Sequence, residues 1–186
     1  GLSQIGGTST GAISLPSIVL ANSASLVLGA GASTVITTGA ISGTVGGATS
    51  SVAFDTLGAV TVNGAIGTDL STVTITNASG ATFASTLTAG SVTIASASGT
   101  VTVAGNINTT GNFDALSAPY SLQLQGASNN LGGKLTLANQ GTAFLGTANS
   151  SKTLASGGIS GDPGNSITAI GNLFTAGNPV SLDTLS

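Results

Sequence analysis

The residues with the greatest potential for chemistry are the aspartates, because the sequence holds five Asp, two Lys and no Glu, Arg, His or Cys. Asp55 and Asp114 each follow a Phe, in the similar segments FDTLGA and FDALSA. Paired carboxylates can act as general acid and base on a glycosidic bond when they lie roughly 6.5–9.5 Å apart. With the coil predicted below, these two lie two coils, or about 10 Å, apart. The alternative, which we favour, is a turn hydrogen bond from each Asp to nearby backbone N–H groups.

The composition argues against most other catalytic sites. Without His or Cys, the chain lacks a triad base, a thiolate nucleophile and the common zinc ligands. It also lacks the repeated nonapeptide that binds calcium in β-rolls and the spacing of a phosphate-binding loop. We therefore predict no catalytic, cofactor-binding or metal-binding residues and a protein that is not an enzyme. A polysaccharide-acting enzyme is the least favoured alternative.

Charge and hydropathy limit the possible partners. The net charge is −3 without any Arg, which leaves no surface for neutralising phosphates, so we predict no nucleic-acid partner. The mean hydropathy is +0.50, yet no apolar run approaches the ~20 residues of a membrane-spanning helix, and we predict no transmembrane span. Charged residues make up 4% of the chain, against roughly 25% in ordinary proteins. Weak charge repulsion favours self-association.

Short strands separated by turns are predicted throughout. Residues that favour helices are scarce, whereas Val, Ile and Thr dominate the regular segments. Each apolar-polar-apolar triplet is typical of a strand with one buried face. Segments rich in Gly and Asn separate the triplets, and a tight turn is predicted at Asp162-Pro163-Gly164. The triplets are Val60-Thr61-Val62, Val73-Thr74-Ile75, Val92-Thr93-Ile94, Val101-Thr102-Val103, Leu122-Gln123-Leu124 and Leu135-Thr136-Leu137.

An internal repeat organises these strands. The five Phe stand at positions 54, 83, 113, 144 and 174, so successive Phe are roughly 30 residues apart, a period typical of repeat architectures. The echo of Phe54 at Phe113 defines a longer repeat that contains two such intervals. We predict a single repetitive β domain over residues 1–186, with repeat units at about 54–112 and 113–172. Residues 1–53 and 173–186 are predicted to be partial repeats or joining segments.

The predicted fold is all-β, a repetitive β-solenoid (parallel β-helix) with three faces and coils of about 30 residues. Successive coils pair their strands about 4.8 Å apart, so that equivalent positions stack. One Phe per coil then forms an internal ladder in the core. A shorter coil of about 20 residues is a second possibility. A fibre subunit built from β-sandwiches is the competing architecture.

Several polar residues have structural interpretations. Lys134 and Lys152 are predicted to be solvated and to discourage edge pairing. Asn77, Asn108 and Asn149 begin Asn-x-Ser/Thr sequences, which mark glycosylation acceptors in secreted eukaryotic proteins but arise by chance in so polar a chain. The Thr in each triplet is expected to point outward singly, so an ice-binding solenoid with paired rows of Thr is a minor alternative.

The strand repeats resemble those of a family of bacterial surface proteins. Segments such as LSTVTITNASGATF and YSLQLQGASNNLGGKLTLANQGTAFLG are similar to the β-strand repeats of filamentous-haemagglutinin-like and autotransporter-like adhesins. The resemblance covers residues 40–172. It implies export through the outer membrane, a right-handed parallel β-helix and a role as adhesin, matrix component or filament, and it supplies no catalytic residues.

The sequence therefore favours a structural extracellular protein at the bacterial cell surface. We expect a subunit or segment of a self-assembling filament or matrix fibre, whose partners are copies of itself joined end to end and a cell-surface or matrix polysaccharide. The chain begins at Gly1 rather than Met, which indicates a processed or excised portion. Neither Gly1–Ala21 nor Val180–Ser186 has the character of a polar cap, so these are the predicted joining segments. The alternative is a stalk or passenger segment of a large adhesin.

Overall fold

The computed structural model describes residues 1–7, 11–44, 47–67, 69–182 and 184–185. Within these ranges the chain forms 26 strands and no helix. The strands follow one another in a cycle of three, and each belongs to one of three sheets that run the length of the molecule. Neighbouring strands within a sheet are parallel. The predicted all-β solenoid is confirmed, and the described residues do not form a packed β-sandwich.

The strands are numbered in chain order, and the sheets are named A, B and C. Sheet A contains β1 (Leu2–Gly6), β4 (Ser25–Ala32), β7 (Ser50–Thr56), β10 (Leu70–Asn77), β13 (Ser91–Ile94), β16 (Phe113–Ala115), β19 (Leu135–Leu137), β22 (Ile159–Gly161) and β25 (Val180–Ser181). Sheet B contains β2 (Ile13–Leu15), β5 (Ile36–Thr38), β8 (Ala59–Val62), β11 (Gly80–Phe83), β14 (Thr100–Val103), β17 (Ser121–Leu124), β20 (Ala143–Leu145), β23 (Ser166–Ala169) and β26 (Thr184–Leu185). Sheet C contains β3 (Ile18–Leu20), β6 (Ile41–Gly43), β9 (Ile66–Gly67), β12 (Leu87–Ala89), β15 (Ile107–Thr109), β18 (Ser128–Leu131), β21 (Lys152–Ala155) and β24 (Asn172–Phe174).

Each coil is about 22 residues long, and about eight coils stack. Residues paired in sheet A lie 19 positions apart between Val73 and Val92 and 22 apart between Phe113 and Leu135. The longer coil predicted from the Phe spacing is therefore wrong, and the shorter coil kept as a second possibility is correct. Three short strands and three tight corners complete a coil in this length.

The spacing of the Phe residues explains the error in coil length. Phe54 in β7 pairs with Ile75 in β10, one coil later, and Phe83 follows eight positions further on in sheet B. The interval from Phe54 to Phe83 is thus one coil plus one additional face, and successive Phe lie in different sheets instead of stacking. The Phe54 and Phe83 rings meet edge to face, with centroids 6.1 Å apart.

The predicted core role holds for three of the five Phe. Phe54, Phe83 and Phe113 are buried, but Phe144 and Phe174 lie on the outer surface. The single internal Phe ladder is therefore wrong. The Phe144 and Phe174 rings occupy strand positions whose side chains point away from the core. Their orientation follows from the alternation of side chains along a strand and not from residue type.

The longer repeat, from Phe54 to Phe113, corresponds to three coils. Three steps through sheet A lead from Phe54 by way of Ile75 and Ile94 to Ala115. Ala115 is two positions beyond Phe113, so the echo at Phe113 returns to the same sheet and to the same side of the strand. The division into units at 54–112 and 113–172 stays a prediction.

Alternating burial along the strands builds one continuous hydrophobic core. The six triplets recognised in the sequence all lie in strands, and each shows buried, partly exposed and buried residues in turn. The inward side chains from the three sheets meet along the axis of the solenoid. Apolar side chains stack on apolar ones from coil to coil, which keeps water out of the centre.

Buried polar side chains at the corners satisfy backbone groups that the strands leave unpaired. Thr56 is fully buried, and its Oγ1 donates to the carbonyl oxygen of Ala32 at 2.7 Å. The amide nitrogen of Asn139 donates to the carbonyl oxygen of Tyr120 at 3.1 Å, and that of Asn165 donates to the carbonyl oxygen of Leu137 at 3.1 Å. These bonds join one coil to the next where the chain turns. They also stabilise the fold, because a buried polar group without a hydrogen-bond partner costs free energy.

Replacing Leu87 by Ala tests the stacked core against the outer face of the same strand. Leu87 is fully buried in β12, between Ile66 and Ile107 of the adjacent coils. We expect Leu87→Ala to lower the free energy of unfolding by about 2–5 kcal/mol. The outward neighbour Thr88 provides the matched control, and Thr88→Ala should change the free energy of unfolding by less than about 0.5 kcal/mol. Urea unfolding followed by circular dichroism measures both, and equal losses would contradict the assigned strand faces.

Candidate functional site

The structure does not bring the two equivalent aspartates together. Asp55 lies in β7 and Asp114 in β16, which are three steps apart in sheet A. At about 4.8 Å per coil, their strands are roughly 14 Å apart, and Asp114 is in register with Ala53 and not with Asp55. Their separation is therefore beyond the carboxylate spacing of glycosidases. The predicted distance of two coils is therefore wrong, because the coil is shorter than the Phe spacing indicated.

Each of these aspartates instead bonds to a side chain on the next coil. Asp55 Oδ1 accepts a hydrogen bond from Asn77 Nδ2 at 2.8 Å. Asp114 Oδ1 accepts one from Thr136 Oγ1 at 2.7 Å. The expected turn bond to backbone N–H groups is thus replaced by a bond across the strands of sheet A. Both carboxylates tie neighbouring coils together on the outer face.

The remaining acidic residues lie apart from this pair. Asp162 begins the predicted tight turn, which is confirmed by the bond from the Asn165 N–H to the Asp162 carbonyl oxygen at 3.2 Å and by the positive φ of 87° at Gly164. Asp69 Oδ1 accepts from the Gly47 N–H, whereas Asp183 lies outside the described residues. Among the described residues, no three metal-ligating side chains of the His, Cys, Asp or Glu type converge.

The two lysines are exposed but do not protect a sheet edge. Lys134 immediately precedes β19, which lies between β16 and β22, and Lys152 begins β21, which lies between β18 and β24. Both strands are interior to their sheets, so the expected role at an edge is wrong. Asn108 and Asn149 are exposed, on β15 and in a turn respectively.

Sheet A carries a short double row of hydroxyl residues that the sequence analysis missed. Thr72 pairs with Ser91 and Thr74 with Thr93, and all four lie on the outer face of β10 and β13. The expectation that each Thr points outward singly is therefore wrong here. The strands extend beyond the triplet, and the position two residues earlier points to the same side. That period-two signal was present in the segment STVT.

Tyr120 is the one tyrosine in the sequence, and its side chain is fully buried beside the corner before β17. Its hydroxyl donates a long hydrogen bond to the carbonyl oxygen of Ile94 at 3.4 Å. Burial raises the pKa of the Tyr120 phenol well above its usual value, because the phenolate would lose its hydration.

The three sheets end at the first and last coils of the solenoid, where edge strands are exposed. β1 stands at one end of sheet A and β25 at the other, and β26 ends sheet B on the same side as β25. The predicted joining segments Gly1–Ala21 and Val180–Ser186 contain these terminal strands, although residues 8–10, 183 and 186 lie outside the described part. An edge strand presents backbone N–H and C=O groups that can pair with a further strand.

Inward-facing apolar residues are exposed at these two ends. Ile5 pairs with the fully buried Leu28, yet Ile5 itself is 40% exposed. Val180 pairs with the buried Ile159 and is 54% exposed, and Leu185 at the end of sheet B is 56% exposed. The sequence analysis named the segments but not these residues. The signal that identifies them is their place in the inward columns.

Comparisons with protein-family models, curated proteins and solved structures find no match to this chain. Within the described part of the chain, no helix combines the length and apolar character needed to cross a membrane.

Alkaline unfolding tests the buried phenol. An unfolded tyrosine titrates near pH 10, whereas the folded state holds its proton to higher pH. The unfolded state therefore loses its proton first, and the contribution of Tyr120 to stability is complete below about pH 10 and declines above it. The decline is at most about 1.4 kcal/mol per pH unit for this one group.

Urea unfolding across this pH range, with Tyr120→Phe as the control, measures the effect. The variant should lack the part of the alkaline decline that the phenol causes. Phenolate absorbance gives an independent check, and a titration midpoint near pH 10 in the folded protein would contradict burial of the group.

Proposed function

We propose that this protein is a structural β-solenoid of the bacterial cell surface, which assembles end to end into an extracellular filament or matrix fibre. The observation that carries the proposal is the exposure of core positions at both terminal coils. Ile5, Val180 and Leu185 occupy columns that are buried elsewhere in the solenoid. A further coil at either end would bury them and would pair the free backbone edges.

The strand directions at the two ends of the solenoid are compatible with pairing of one copy to the next. Strands within each sheet are parallel, so the edge of β25 in one copy can receive β1 of a second copy without reversing the chain. Such a contact joins two different surfaces of the same protein. Heterologous contacts of this kind generate open filaments when their rotation does not close a ring.

The low charge supports the proposed self-association, and the resemblance to adhesin repeats supports the proposed location. With charged residues at 4% of the chain, little electrostatic repulsion opposes stacking of one copy on another. The β-strand repeats resemble those of large bacterial surface proteins, in which solenoids act as extended scaffolds. The proposed function, a fibre of stacked coils, depends on the repeated strands and not on any one side chain.

Electron microscopy and sedimentation of the purified chain over a range of concentrations test the proposal. We expect unbranched fibres whose axial repeat is roughly 40 Å, from about eight coils at about 4.8 Å each. Val180→Lys should raise the concentration needed for assembly at least about tenfold, because it buries an unpaired charge in the joint.

Leu116→Lys is the matched control, since Leu116 is an exposed leucine at a corner of an interior coil, 41% accessible. This variant should assemble like the unmodified chain. A protein that stays monomeric at every concentration would contradict the filament proposal and would favour the stalk of a large adhesin, in which the next coil is attached covalently. Equal effects of the two variants would show that the terminal coils are not the joint.

A further inference from the structure

The outer face of sheet B changes character along the solenoid. Four consecutive strands, β5, β8, β11 and β14, place a Thr at the centre of their outer side, and these stack in register. In β17 the same column continues with Gln123, and in β20 with Phe144. Thr returns in β23 with Thr168. The row of Thr is thus interrupted by an amide and an aromatic ring.

Phe144 faces outward although it is a large apolar residue. Its neighbours Ala143 and Leu145 are buried, whereas Phe144 is 36% exposed. The strand alternation fixes this orientation, so the ring cannot reach the core without reversing both neighbours. Ile170, which directly follows β23, is also exposed beside it. Together they form an apolar platform on an otherwise hydroxyl-rich face.

A hollow lies next to this ring. Gln125, Gly146 and Ile170 directly follow β17, β20 and β23, and the middle position has no side chain. Gly146 has φ of +86°, and an added Cβ would lie 2.1 Å from the Ile170 carbonyl oxygen. The backbone therefore requires glycine here. The resulting hollow has a volume of about 270 Å³, just below the roughly 300–1,000 Å³ of drug-sized ligand sites. It is lined by Gln123, Gln125, Phe144, Gly146, Thr147 and Ile170.

The polar groups of the hollow are neutral and preorganised. Gln125 Nε2 donates to Gln123 Oε1 at 2.8 Å, which holds the two amides side by side. Of the remaining side-chain groups, the Gln123 amide nitrogen offers donors and the Gln125 amide oxygen offers an acceptor. The residues lining the hollow include neither acidic nor basic side chains. The site therefore combines an aromatic face with an amide pair and carries no formal charge.

We propose that this hollow binds a neutral saccharide, with one sugar ring of a polysaccharide against Phe144. The C–H face of a pyranose ring is apolar and suits an aromatic face. Adjacent hydroxyl groups act as both donors and acceptors, which matches the two glutamine amides. An anionic sugar would find no cation in the hollow, and a phosphate would find none either. The inference is independent of filament assembly, because the site lies on the side of the solenoid.

Equilibrium dialysis against labelled maltohexaose, cellohexaose, laminarihexaose and chitohexaose tests the proposal in either state of assembly. We expect at least one of these neutral probes to bind. Phe144→Thr should weaken that binding at least about tenfold, through loss of the stacking surface. The substitution restores the residue found elsewhere in the column, so an unchanged melting temperature is expected and checks the fold.

Leu116→Thr is the control, because it removes a similarly exposed apolar side chain at the corner between β16 and β17, whereas the hollow lies at the corner that follows β17, β20 and β23. It should leave saccharide binding unchanged. Absence of binding by all four probes at millimolar concentration would overturn the proposal, as would equal binding by the Phe144→Thr variant. If binding is absent and Phe144→Thr instead reduces lateral association of fibres, the hollow is a contact between copies of the chain, which also overturns it.

Discussion

Parallel backbone pairing between successive coils is the constraint on which this structure depends. Each coil must present its three strands at the level where the strands above and below can bond to them, so equivalent positions stack about 4.8 Å apart. The buried and outer faces of the strands are therefore repeated from coil to coil, whereas strand length varies, from eight residues in β4 and β10 to three in β16 and β19. Where the coil is longer, as between Leu26 and Val52, the pairing of the two strands shows a register shift between Leu28 and Ala32.

The same constraint explains why the side chains act in columns and not in clusters. An inward column is mostly apolar, with a few buried polar side chains such as Thr38 and Asn129. An outward column forms a row of hydroxyl or amide groups with occasional interruptions. Polar atoms that the turns would leave buried are satisfied by Thr56, Asn139 and Asn165 at the corners. The carboxylates of Asp55 and Asp114 likewise accept hydrogen bonds from side chains of the next coil. We therefore place the proposed functions at the ends of the solenoid and at the few positions where a column changes type.

Much of this organisation follows from the sequence alone. The alternation in segments such as Val73-Thr74-Ile75 identifies the strands and their buried faces, because a strand has a period of two residues. Gly and Asn between the triplets mark the corners, and Asp162-Pro163-Gly164 specifies a tight turn by its fixed and positive φ angles. Scarce charge and the lack of His and Cys limit the available chemistry before any coordinates are considered.

Only the tertiary structure decided the coil length and what it brings together. The spacing of the Phe residues combines one full coil with one or two further faces. Sequence periodicity cannot separate rotation around the axis from advance along it. The distance between Asp55 and Asp114 depends on that rotation, and so does the placement of Phe144 beside Gln123 and of Thr74 beside Thr93. Local alternation is a property of each strand, whereas the stacking of one strand on another is set by backbone pairing between residues about 22 positions apart.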